Sequence, residues 1–157
     1  MKRHKLHFLF LTVFLSATAY AEILNNLEVA WVVDGDTVHA TKNGQLYKIR
    51  LTEIDAPERD QPFGKQSTDN LRVLLRKGFI DVDLKGQDIY KRHLGRIYVD
   101  GKEINKKMVS TGSAWVYDKY VTDKSFYIEQ KKAQNDRLGI WANEQAMPPW
   151  EWRQRNN

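Results

Sequence analysis

Hydrophobic positions along this chain recur at two periods, and each change of period marks an element. Residues 27–33 hold Leu27, Val29, Trp31, Val32 and Val33, and predict a strand. Asp34-Gly35 is a turn, and residues 37–41 resume the strand pattern. Asn43-Gly44 is a hairpin signal. Residues 45–51, with Leu46, Tyr47, Ile49 and Leu51, form the third strand, so two hairpins in succession make a meander. Residues 56–62 hold two prolines and predict a loop. In residues 64–77, Leu71, Leu74 and Leu75 fall at helical spacing, with Gly78 as the stop. Residues 79–84 and 94–99 predict a fourth and a fifth strand. Residues 104–111 predict a short helix closed by Gly112, and residues 125–137 a last helix ended by Gly139. Residues 147–152 carry two prolines and no clear period, and predict an irregular tail. The pattern supports an α+β, barrel-like domain.

The start of the chain follows different rules. Lys2, Arg3 and Lys5 precede an apolar run from Leu6 to Leu15, and Ala19-Tyr20-Ala21 has the small-x-small form of a signal peptidase site. The run is short for a membrane span, which needs about 20 residues, and the cleavage site argues against a retained anchor. Residues 1–21 are therefore expected to be a signal peptide, with Glu22 as the mature N-terminus and 22–157 as one domain. The expected location is secreted or periplasmic, as a monomer with no stable membrane association after cleavage. The chain carries a formal +5, but the first 21 residues hold three basic side chains and no acid, leaving +2. Net charge alone thus says little about a nucleic-acid partner, and any basic patch must be local. With no cysteine, the chain has neither a disulfide nor a thiolate zinc site.

The chemistry concentrates in two stretches. One runs from Asp34-Gly35-Asp36-Thr37 to Arg50-Leu51-Thr52-Glu53-Ile54-Asp55-Ala56-Pro57-Glu58. The other is Asp88-Ile89-Tyr90-Lys91-Arg92-His93. Converging carboxylates hold hard divalent cations through oxygen, and arginine forks grip phosphate oxygens bidentately. Together they suggest metal-assisted attack on a phosphodiester. The D-G-D-T block, the R-L-x-x-I-D-A-P-E string, the Tyr90-x-Arg92 turn and Leu138-Gly139-Ile140-Trp141 occur in the order found in the staphylococcal nuclease (thermonuclease) family, which the chain resembles from about Leu27 to Trp141.

The resemblance implies a five-stranded OB-fold β-barrel with about three helices, a fold whose open face commonly binds oligonucleotides. It implies Ca2+ held by Asp36, Asp55 and the backbone carbonyl of Ala56. Glu58 is the implied general base, and Arg50 and Arg92 the implied phosphate-gripping pair. Tyr117 and Tyr120 would line the nucleotide pocket. The implied reaction is hydrolysis of DNA and RNA with little sequence preference, leaving 3′-phosphate ends. The family more often has glycine where Lys91 precedes Arg92. Asp34 is read either as a turn residue or as a support behind the metal ligands. A non-catalytic OB module binding single strands is the alternative, and retention of all five catalytic-type residues speaks against it. A carboxylate-pair glycosidase is disfavoured by the arginines, because its transition state is cationic. His39 and His93, the mature histidines, share no ligand spacing.

Overall fold

The structure is a computed structural model and describes residues 22–156, so the expected signal segment lies outside the described residues. Strand β1 (Glu22–Asp34) is longer than its apolar pattern suggested, because it serves two neighbours. Its N-terminal half pairs antiparallel with β5 (Phe79–Gln87), and its C-terminal half with β2 (Thr37–Lys42). Register shifts between Leu24 and Leu27 and at two places after Val29 bend it around the barrel. Strand β3 (Gln45–Leu51) completes the first hairpin, and β4 (Ile54–Asp55) follows after a two-residue turn.

Helix α1 (Gly64–Leu74) comes next, then β5 and β6 (His93–Val99). The barrel closes where β6 runs parallel to β3, pairing Ile49 with His93, Arg50 with Leu94 and Leu51 with Gly95. Closure is tight at Gly95, where a Cβ would lie 2.7 Å from Val82 Cγ1. A side chain there would have to displace the Val82 side chain. The short β7 (Lys102–Glu103) leads into α2 (Ile104–Ser110), and β8 (Trp115–Val116) pairs antiparallel with β4. Helix α3 (Ser125–Asn135), a 3-10 turn (Gly139–Ala142) and α4 (Pro149–Asn156) complete the chain.

The five-stranded barrel with α1 after its third strand is the OB arrangement that the resemblance implied, and it agrees with the α+β, barrel-like pattern of the sequence. Its interior is apolar: Leu27, Val38, Ile49, Leu71, Val82, Ile97, Met108 and Phe126 are fully buried. A Leu or Ile buried to this degree contributes about 1.5–3 kcal/mol by transfer from water. The difference lies at the C-terminus. The tail expected to be irregular forms α4, a fourth α-helix. Pro149 stands at its start, where the missing N–H costs nothing and the fixed φ suits a helix. Glu151 sits in its first turn and Arg153 and Arg155 in its last, so both ends suit the helix dipole.

Candidate active site

Asp36 is delivered by a turn that only glycine permits. A Cβ on Gly35 would fall 2.0 Å from Ser67 Oγ on α1 and 2.7 Å from the Ala56 side chain. The bare backbone thus lets the turn settle against the helix. Asp34 serves this turn, its Oδ1 accepting the Asp36 N–H at 3.1 Å. The Asp36 carbonyl accepts the Leu51 N–H at 2.8 Å, and Thr37 lies across from Arg50 in the β2–β3 register. Strand pairing therefore sets Asp36 beside Arg50.

Asp55 is fixed from the other side. It lies in β4, opposite Trp115 of β8. The β3–β4 turn before it passes through Glu53 at φ 67°, a left-handed conformation that costs a non-glycine residue about 1 kcal/mol or more. Contacts compensate. The buried Glu53 carboxylate accepts the backbone N–H groups of Thr122 at 3.0 Å and Asp123 at 2.9 Å, accepts the Thr122 hydroxyl at 2.7 Å and pairs with Arg96. Burial works against ionisation of Glu53, but these donors hold its carboxyl below the ordinary value. Asn105 of α2 ties the same corner, donating to the carbonyls of Thr52 at 3.0 Å and Gly95 at 3.2 Å.

Between these supports the acids meet. Arg50 Nη2 lies 3.0 Å from Asp36 Oδ2 and 3.0 Å from Asp55 Oδ1, so these oxygens are no more than 6.0 Å apart. Arg50 Nη1 donates to the carbonyls of Leu51 at 2.7 Å and Ile54 at 3.0 Å, which orients the guanidinium. The Ala56 N–H donates to Asp36 Oδ2 at 2.7 Å. Asp36 is 6% and Asp55 1% exposed. Burial, opposed by Arg50 and reinforced by Asp34 and Asp55, pushes the Asp36 carboxyl up to about 8. Two buried carboxyls thus converge on one guanidinium nitrogen. The donors are hard oxygens, which suits Ca2+ or Mg2+ and not a soft metal. Among the described residues no group of three or more acidic, His or Cys side chains is placed to hold a metal ion. The other ligands of such an ion would be backbone carbonyls and water.

The remaining expected residues are placed as follows. Glu58 lies in the loop after β4, with its backbone N–H held by Gln61 Oε1 at 3.1 Å and its side chain partly exposed. Arg92 ends the β5–β6 loop, one residue before the strand that flanks Arg50. The structure does not bring it into contact with the acids of the pair. Its Nε donates to Asp88 Oδ2 at 2.7 Å and its N–H to Asp88 Oδ1 at 2.9 Å. Burial opposes the charge on Asp88, yet these bonds hold its carboxyl below the usual range. Lys91, where the family more often has glycine, takes the left-handed conformation at φ 60°. Tyr117 leaves β8 with its ring stacked on Trp150 of α4, centroids 5.5 Å apart and planes 6° from parallel. Tyr120 meets Tyr117 edge-on at 5.0 Å and is 58% exposed.

One residue of the cluster was not anticipated. Arg153 of α4 reaches across the site: Nη1 lies 2.6 Å from Glu58 Oε1 and 3.3 Å from Asp55 Oδ1, and Nη2 2.7 Å from Asp55 Oδ2. Partial burial disfavours its charge, but the two carboxylates keep it firmly protonated. A lone arginine in a proline-flanked tail carries no signal of its own. The available signal was that of the helix, a Pro149 start with Glu151 early and arginines late.

Comparison with known proteins places the chain in a family. The model of the family described as staphylococcal nuclease homologue matches residues 48–143, a span that holds Arg50, Asp55, Glu58 and Arg92 and stops before α4. An uncharacterized endonuclease of Escherichia coli O157:H7 is 39% identical over 128 residues, covering 81% of this chain and 84% of the relative. An uncharacterized endonuclease of Haemophilus influenzae is 36% identical over 146 residues, covering 92% and 82%. The micrococcal nuclease of Shigella flexneri is 37% identical over 137 residues, covering 80% and 79%. On these matches the chain belongs to the staphylococcal nuclease family.

Proposed function

We propose that this chain is a secreted or periplasmic, Ca2+-dependent nuclease that hydrolyses phosphodiester bonds of DNA and RNA with little sequence preference and leaves 3′-phosphate ends. The observation that carries the reading is the pair of buried carboxylates, Asp36 and Asp55, bridged by Arg50. Glu58 is linked to Asp55 through Arg153. A strand-binding module without chemistry has no use for two buried acids whose desolvation disfavours the fold.

When bound by Asp36, Asp55 and the Ala56 carbonyl, the ion supplies a Lewis acid at the phosphate. Glu58 takes a proton from the attacking water. Arg50, aimed by the Leu51 and Ile54 carbonyls, donates to oxygens on which negative charge develops, and needs no change of protonation to do so. Arg92 gives a second guanidinium from the β5–β6 loop, which is pre-set by Asp88. Exposed Tyr120 offers a face on which a base can stack, without regard to sequence.

The test is cleavage by the purified mature chain of single-stranded DNA, RNA and plasmid, with Ca2+ and with excess chelator, followed by end-group analysis. Cleavage that needs Ca2+ and yields 3′-phosphates is expected. Undiminished cleavage in chelator would refute a metal-dependent site. Export is checked separately: N-terminal sequencing of the exported protein should begin at Glu22, and a full-length chain held in the membrane would contradict this.

A further inference from the structure

We propose that Arg153 is a positioning residue of the hydrolytic site, and that α4 is therefore a working part of that site. The inference rests on the nuclease reading above. Both terminal nitrogens of the Arg153 guanidinium face Asp55, Nη2 on Oδ2 and Nη1 3.3 Å from Oδ1, and Nη1 also takes Glu58 Oε1. Glu58 would otherwise stand on a loop, partly exposed, with several rotamers open to it. Among the described residues its Oε2 has no hydrogen-bond partner. One oxygen is thus clamped and the other is left with its lone pairs aimed by the clamp. A proton acceptor for a water needs that arrangement, since transfer depends on direction as well as on reach.

The helix is held well enough to do this. Trp150 stacks on Tyr117 and meets Trp115 edge-on at 5.9 Å. Gln61 bridges the Glu58 loop to the residues ahead of α4, its Oε1 accepting the Glu58 N–H and its Nε2 donating to the Met147 carbonyl at 2.7 Å. Trp152 lines a cleft together with Pro57, Gln61 and Phe63. The Arg153 side chain is only 34% exposed. An arginine so placed loses less freedom on pairing than a surface arginine, and both its nitrogens face the site.

The experiment compares the parent with Arg153→Gln, Arg153→Lys, Glu58→Gln and the double variant Glu58→Gln/Arg153→Gln. Steady-state cleavage of single-stranded DNA is measured in saturating Ca2+, with Ca2+ affinity and thermal unfolding alongside. Arg153→Gln should lower kcat by about 10–100-fold, the range seen when a partner that orients a site ligand is removed. KM should stay within about threefold, since substrate does not need this contact to bind. Arg153→Lys should recover part of kcat and not all of it, because an ammonium cannot hold two carboxylates at fork geometry. Added to Glu58→Gln, the Arg153 change should cost less than about threefold more, since the two act as one unit. A kcat for Arg153→Gln within twofold of the parent overturns the proposal, as does a fully additive double variant or a kcat that rises. If Arg153→Gln fails to fold, Arg153→Lys decides by its kcat at unchanged KM. A parent that does not cleave overturns the nuclease reading and this inference with it. An active parent with an unaffected Arg153 variant overturns this inference alone.

Discussion

Asp36→Asn should bind Ca2+ far more weakly than the parent and should lose more than about 100-fold in cleavage rate at modest Ca2+. Removing a residue that merely orients a ligand costs about 10–100-fold, and Asp36 is expected to be a direct ligand. Asparagine is the informative substitution because it preserves shape. Asp36 Oδ2 accepts the Ala56 N–H and lies 3.0 Å from Arg50, and an amide oxygen can keep both contacts. The charge goes and the packing stays. Stability separates the two effects. Burial already disfavours the ionised Asp36 carboxyl, so the variant should fold as well as the parent when chelator is present. The difference appears on adding Ca2+, which stabilises only a protein that binds it. At about 100 times the dissociation constant the parent gains about 2.7 kcal/mol, and the variant should gain little at that concentration. Thermal unfolding across a Ca2+ titration, with the cleavage rate beside it, makes the measurement. A variant whose Tm rises with Ca2+ as the parent's does would remove Asp36 from the ligand set.

The parts of this molecule that could be read from sequence are those whose signal is local. β3 was legible to the residue because residues 45–51 alternate and are bounded by Asn43-Gly44. The ends of β1 were not legible. Glu22 to Asn26 lack an apolar run and join the strand only because β5 offers them partners. Asp36, Arg50, Asp55 and Glu58 were legible as candidates because they lie within 23 positions and recur in one family's blocks. Their supports were not. Glu53 stands inside the same string, yet its partners Thr122 and Asp123 are 69 and 70 positions away. Arg153 is 98 positions from Asp55. Its helix has apolar residues at Trp150 and Trp152, two apart, a spacing that belongs to neither a helical stripe nor a buried helix. Propensity at the two ends of α4 carried the only cue, and packing of the tryptophans supplies the stability. Arg92 shows a further limit. Its loop was correctly located, but what the arginine holds is Asp88 in its own turn, a partner that no strand period announces.

Glu58→Gln should lower the cleavage rate by about 10²–10⁴-fold, the contribution of a positioned general base, which is about 3–5 kcal/mol at the barrier. Glutamine matches the size and keeps an oxygen for the Arg153 contact, but it cannot accept a proton at neutral pH. The fold should scarcely notice. The Glu58 side chain is partly exposed, so its pair with Arg153 is of the kind that contributes about 0–1 kcal/mol. Arg153 also retains both Asp55 oxygens. Ca2+ affinity should fall little, because Asp36, Asp55 and the Ala56 carbonyl are left in place, and affinity for the strand should fall little because Arg50 and Arg92 are untouched. Single-turnover cleavage, Ca2+ titration and strand binding on the same preparation distinguish the roles. If Glu58→Gln cleaves at near the parent rate, Glu58 is not the base. If Ca2+ affinity collapses in step with the rate, Glu58 is a ligand, and the split between metal-holding aspartates and a water-activating glutamate is wrong. A large fall in rate with both affinities preserved assigns the proton transfer to Glu58, since an amide cannot take a proton from water at neutral pH.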